Sequence, residues 1–187
     1  MKTAQGWFEA GLAALERSHG ADHSGEYEAD LEEAVDAFEQ ALGLDRAHFG
    51  ALRQRGFVLA QLDRHEEALD SFVAAASQQP EDADLQLAAA QSLAKLRHFD
   101  RALTTFEAVC RLRPGDVDVL TGRAEALTAL ERNELALEAW NELIPILETR
   151  RVEHHGKMIR DLTDDWRAGK AREARAMVLA RLSSSKR

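Results

Sequence analysis

Apolar positions along this chain recur at helical spacing, and the whole arrangement then recurs. Leu52, Leu59 and Leu62 fall on one helical face beside Gly56. A short polar turn, Asp63-Arg64-His65, follows. Ala68, Phe72 and Ala75 then form a second apolar stripe, and Pro80 lies just beyond it, where a proline stops a helical pattern. Ala102, Phe106 and Pro114 repeat Ala68, Phe72 and Pro80 at a distance of 34 residues, after the polar turn Arg97-His98-Phe99-Asp100. The same step backwards gives Ala34, Phe38 and Ala41, and forwards gives Ala136 and Trp140. The pattern predicts four pairs of amphipathic helices, with Gly56 and Ala90 small where paired helices approach most closely. One pair cannot bury its own faces, so the pairs must stack.

Both ends depart from the regular pattern. Trp7 to Ala34 is 27 residues where Leu52 to Ala68 is 16, so the first pair carries an eleven-residue insertion. Gly20, Gly25 and the polar content predict that residues 18–29 form a mobile loop or an extension of the flanking helices, without a metal. Glu33 lies three residues after Asp30, which suggests a helix start at Asp30. An earlier start stays open, since 26–31 contains no breaker. At the other end, Met158, Ile159, Leu162 and Trp166 share a helical face. Gly169 reads as a break, and Ala174, Met177, Val178 and Leu182 as a last helix. A stack of repeats needs a polar-faced end, which favours a cap over a divergent fifth repeat. Ser183-Ser184-Ser185-Lys186-Arg187 reads as a frayed end.

In its 34-residue period and its small and aromatic positions the chain resembles the tetratricopeptide repeat family. Residues 49–82 match best, with Leu52, Gly56, Leu59, Ala68, Phe72, Ala75 and Pro80 at places 4, 8, 11, 20, 24, 27 and 32 of the repeat. Arg55 departs from it, since place 7 is usually a large apolar residue. The resemblance implies an all-α fold, a right-handed α-solenoid of four helix pairs plus a C-terminal helical cap. Its repeat domain would span 1–150, with repeats at about 4–48 (including the insertion), 49–82, 83–116 and 117–150. Residues 151–187 would be capping helices or a degenerate fifth repeat.

Composition narrows the function. Of 187 residues 45% are hydrophobic but only 6% aromatic, so the apolar mass is mostly Ala and Leu, which suits helix packed on helix. Asp and Glu number 33 against 24 Lys and Arg, a net charge of −9 that disfavours a nucleic-acid or anionic-membrane binder. The charge is uneven: residues 1–48 carry −8, residues 49–148 carry −7, and residues 149–187 carry +6. No apolar run is long enough for a membrane span, and the first residues lack the apolar segment of a signal peptide, so a cytoplasmic location is expected.

Chemistry-bearing constellations are sparse. Two histidines four apart on a helix can share a metal, but His19 and His23 fall between glycines in the insertion, so a polar loop is the expectation. The lone Cys110 excludes an internal disulfide and a cysteine-built zinc site. Arg111 and Arg113 beside it would lower its pKa, yet such a cysteine is ordinarily a small packing residue. There is no nucleophile elbow, phosphate loop, dinucleotide turn or His-Glu-x-x-His. No enzyme, cofactor or resident metal is expected.

Function is expected where the resemblance places a concave groove, on the first helix of each pair at places 2, 5, 6, 9, 12 and 13. Carried across, the first repeat offers Phe8, Glu9, Leu12 and Glu16, and the second Arg53, Gln54, Phe57 and Gln61. The third offers Asp84, Leu87, Gln91 and Lys95, and the fourth Asp118, Thr121, Glu125 and Thr128. Leu12 and Leu87 could equally be packing residues. Phe57 has the stronger case, because Leu52, Leu59 and Leu62 already fill the core places of its helix. Arg53 and Lys95 lie between acidic neighbours, a pattern that suits a ligand with an acidic centre and apolar flanks. The carboxylate clamp that some relatives use on chaperone C-termini is missing from every set of three consecutive repeats. The expected function is a non-enzymatic adaptor binding a peptide or helix of a partner protein through Phe8, Leu12, Arg53, Gln54, Phe57, Leu87, Gln91, Lys95, Thr121 and Glu125. The alternatives are a self-assembling scaffold, which makes a homo-oligomer, and a small secretion-type chaperone.

Overall fold

A computed structural model describes residues 2–19, 24–149, 151–154, 157–160 and 162–184. Its helices are α1 (Ala4–Ser18), α2 (Ser24–Leu44), α3 (Phe49–Gln61), α4 (His65–Ala76), α5 (Ala83–Lys95), α6 (Phe99–Leu112), α7 (Val117–Ala129), α8 (Asn133–Thr149) and α9 (Leu162–Ser184). A two-stranded hairpin, β1 (Arg151–His154) and β2 (Lys157–Arg160), precedes α9. The chain divides into two compact units, residues 1–96 and 97–187, so α5 and α6 of the third repeat fall in different units.

Local chemistry sets the helix ends. Asp82 accepts from the backbone N–H groups of Asp84 and Leu85, and Asp116, one repeat later, from those of Asp118 and Val119. These caps satisfy donors that a first turn leaves unpaired. Thr3 caps α1 by accepting from Gly6 N–H, and His48 caps α3 through Nδ1, which accepts from Ala51 N–H. Within three repeats the first helix ends in a left-handed residue at the same place: Asp63 (φ 56°), Arg97 (φ 61°) and Glu131 (φ 56°). Each stands where a glycine would be less strained.

In the first unit, α1 to α5 close around Phe38 and Phe72, both fully buried. The Phe72 ring leaves no room at Gly56, where a Cβ would lie 2.6 Å from it. The Phe38 ring fills the same space over Gly11. Arg55, the departure at place 7, is explained here. It donates to Ser71 Oγ at 2.7 Å and to Glu39 at 2.7 Å, and lies 3.6 Å from Glu67. Arg64 holds Glu67 with two hydrogen bonds and reaches Glu32 at 3.0 Å. These two arginines tie α2, α3 and α4 together, and Arg55 does so where the family ordinarily packs an apolar side chain.

In the second unit, α6 to α9 enclose Phe106 and Trp140. Phe106 lies against Gly122 of the following repeat, leaving no room for a side chain there. Trp140 Nε1 donates to Thr128 Oγ1 at 3.0 Å, which satisfies the indole in a buried place.

The ends are corrected in detail. Of the two starts considered for α2, the earlier holds: the helix begins at Ser24. Asp30 therefore caps nothing; with Glu33 it receives Arg17, at 3.1 and 2.6 Å. Residues 20–23, with His23, lie outside the described residues, as do the terminal residues 185–187. The tail differs more. Met158 and Ile159 belong to β2, where Ile159 pairs in register with Val152, so they share no helix with Trp166. The spacing of four apolar residues did not separate the two periods, and β-branched Val152 and Ile159 favour a strand. Gly169 does not break the last helix; α9 runs through it. A glycine inside a helix costs only about 1 kcal/mol against alanine, and strong helix formers surround this one.

Candidate functional site

The first-helix face of the first unit is built by α1, α3 and α5. Phe8 of α1 stacks 4.9 Å from the His48 ring and 5.9 Å from Phe38, and it rests on Gly50, where a Cβ would come within 2.9 Å of its ring. Arg53 of α3 lies 3.7 Å from Asp84 and 3.9 Å from Asp82, both at the start of α5. One rule covers both contacts: place 5 of one first helix meets place 2 of the next, Phe8 on Gly50 and Arg53 beside Asp84.

This geometry sorts the candidate residues. Phe57 is half-buried, its ring edge-on to Phe72 at 5.1 Å, and the Arg53 guanidinium lies over its ring at 5.0 Å. Phe8 and Leu12 are also half-buried against the core. Leu87 and Gln54 are half-buried, whereas Gln91 and Lys95 stand exposed. The apolar members are thus partly packed within the chain, and each still presents some surface. Arg53 departs from the free basic centre that its place suggested, because two carboxylates at the start of α5 already attend it. Those ion pairs are longer than hydrogen bonds.

Thr121 and Glu125 lie in the second unit on α7. Thr121 is half-buried and its hydroxyl donates to Val117 C=O at 2.7 Å; Glu125 is exposed. Here α9 reaches across from the tail. Arg167 lies 3.2 Å from Asp118, and Arg181 donates to Thr128 C=O at 3.2 Å. Arg172 holds Glu148 of α8. Two groove places of the fourth repeat, Asp118 and Thr128, are therefore engaged by the chain's own last helix. Sequence reasoning had no signal for Asp82 or His48 as parts of this face, since each meets a residue distant in the chain; Gly50 stood at groove place 2 and was passed over.

Burial pushes the Cys110 thiol above its ordinary pKa; the Arg123 guanidinium opposes this and does not overcome it. The cation acting on it is Arg123 of α7, where the sequence had pointed to Arg111 and Arg113. Among the described residues no three His, Cys, Asp or Glu side chains are grouped to hold a metal ion. Among them, too, no helix is long and apolar enough to cross a membrane.

Comparison with known proteins agrees with this architecture. Residues 26–83 and 87–147 match the tetratricopeptide repeat. No curated protein sequence matches the chain. Among solved structures it is similar to MamA of MSR-1, at 16% identity over 78% of this chain and 77% of that one, with a TM-score of 0.67. It is similar to MamA from Desulfovibrio magneticus RS-1 at 17% identity, over 76% and 75% of the two chains, with a TM-score of 0.65. It also resembles YrrB, described as a tetratricopeptide protein with an unusual peptide-binding site, at 20% identity over 78% and 73%, with a TM-score of 0.62. At such identities the likeness carries the fold alone, while the sequence match spans most of the chain: this protein belongs to the tetratricopeptide repeat family.

Proposed function

We propose that the chain is a non-enzymatic interaction module that binds a peptide or helical segment of a partner protein on the first-helix face of α1, α3 and α5. The observation that carries this reading is the continuous strip made where Phe8 meets Gly50 and Arg53 meets Asp84, with Phe57, Leu87, Gln91 and Lys95 along it. Its apolar members are half-buried and so already ordered, which lowers the entropy lost on binding. Phe57 and Leu87 receive apolar side chains, and Gln54 and Gln91 pair with backbone groups of the ligand. Exposed Lys95 meets an acidic group of the ligand directly. A ligand carboxylate that reaches Arg53 competes with Asp82 and Asp84, and gains because Arg can hold it through two hydrogen bonds. The peptide-binding site named for YrrB lends the reading support by analogy. Thr121 and Glu125 of α7 belong to the second unit and stand as a separate candidate set. The test is to capture a partner from source lysate and titrate it against Arg53→Ala, Gln91→Ala and Lys95→Ala. Loss of a charged contact is expected to weaken binding by about 1.5–3 kcal/mol. Normal binding by all three folded variants overturns the proposal.

A further inference from the structure

We propose that this protein forms a two-fold homodimer through the outer face of α9, with Trp166 of each copy packed on Met177 of the other. The inner face of α9 is settled within the chain, where Ala168, Ala171 and Val178 are buried. The opposite face carries Trp166, Lys170, Glu173 and Met177, spaced by four, three and four residues, so they form one row. Trp166 is 65% exposed and Met177 44% exposed. A tryptophan so exposed on a helix face is the residue type that anchors interfaces.

The row is self-complementary. Trp166 and Met177 share a midpoint with Lys170 and Glu173, between Ala171 and Arg172. An isologous interface requires that residue i meet j while j meets i. Two antiparallel copies of α9 crossing at that midpoint satisfy this twice: Trp166 opposes Met177 of the other copy, and Lys170 opposes its Glu173. Trp166 and Met177 are about 16 Å apart along the helix, one at each end of the contact. Both ends then gain a sulfur–aromatic contact. Lys170 and Glu173 pair within one copy at 3.1 Å, with both side chains mostly exposed. Such a pair contributes little alone, and it exchanges for two pairs between copies without stranding a charge. Gly169, Ala176 and Ala180 run along one side of the row and keep it low enough for close approach. Charge and apolar complementarity therefore commit the occupant to a second copy. The rival occupant, the acidic first repeat of another copy, would make a heterologous chain that grows beyond two.

The test is sedimentation velocity of the full chain over a concentration series. Wild type is expected to show a monomer–dimer equilibrium. Trp166→Glu should weaken it about 30-fold or more, with the circular dichroism spectrum unchanged. Lys170→Glu alone should weaken the dimer by placing like charges across the axis, and Lys170→Glu/Glu173→Lys should restore it. Wild type that stays monomeric throughout, or assembles beyond the dimer, overturns the proposal. So does a dimer that survives Trp166→Glu, or a double variant no better than Lys170→Glu.

Discussion

The first-helix strip of the first unit and the outer face of α9 are both rows of side chains along helix faces, yet they are in opposite states. In the strip, a later helix supplies a neighbour for two members: Gly50 for Phe8, and Asp84 for Arg53. On the outer face of α9, Trp166 stands out from the surface. The contrast between Phe57 and Trp166 shows that a helix's own pattern decides which face is apolar, while the succeeding helix decides how much of it is covered.

Removing residues 151–187 would test that lesson at its largest scale. It uncovers the side of α8 on which Ala168, Ala171 and Val178 now pack, and the expected result is aggregation. A soluble truncated protein that melts at the full-length temperature would show that α9 covers nothing of consequence. Next come the rings themselves. Phe72→Ala and Phe106→Ala should each lose about 3–5 kcal/mol in denaturant titration, because the space between helices cannot collapse. Trp166→Ala, measured at a dilution that keeps the chain monomeric, should change stability by no more than about 0.5 kcal/mol. Equal losses for Phe72→Ala and Trp166→Ala would erase the comparison. Gly56→Ala should cost about 1–3 kcal/mol, since the new methyl meets the Phe72 ring.

Smaller effects sharpen the picture. Glu131→Gly should raise stability by up to about 1 kcal/mol, because glycine holds the left-handed turn without strain. Glu67 tests the arginine ties. The hydrogen bonds from Arg64 hold its carboxyl below the usual range. Its stabilisation is therefore complete above the unfolded pKa and is lost as pH falls through the lower folded value. Unfolding midpoints of Glu67→Gln should depend less on pH than wild type between about pH 5 and pH 3.

Much of this was legible in the sequence. A ring at Phe38, Phe72, Phe106 and Trp140 announces its repeat, because local spacing alone places it on the buried stripe. The site was legible only as a list of positions. What Arg53 touches depends on Asp82 and Asp84, a helix and two turns away, and what Arg55 replaces depends on Glu39 and Ser71. The tail was misread for a different reason. Apolar residues at positions 158, 159, 162 and 166 fit a helical face, and that short run did not expose the strand over 157–160. Trp166 was read only as part of that face, and nothing in its own helix records how much of the face is covered.

The most direct measurement of the central claim is a binding titration of a captured partner against Gln91→Ala and Lys95→Ala. Both side chains stand exposed on α5, so these variants leave the core intact. The account predicts that each weakens binding while its melting temperature stays that of wild type. Unchanged binding in both, with binding lost instead on substitution in the acidic stretch 22–39 or in the basic tail, would contradict it and move the interaction surface to the ends of the chain.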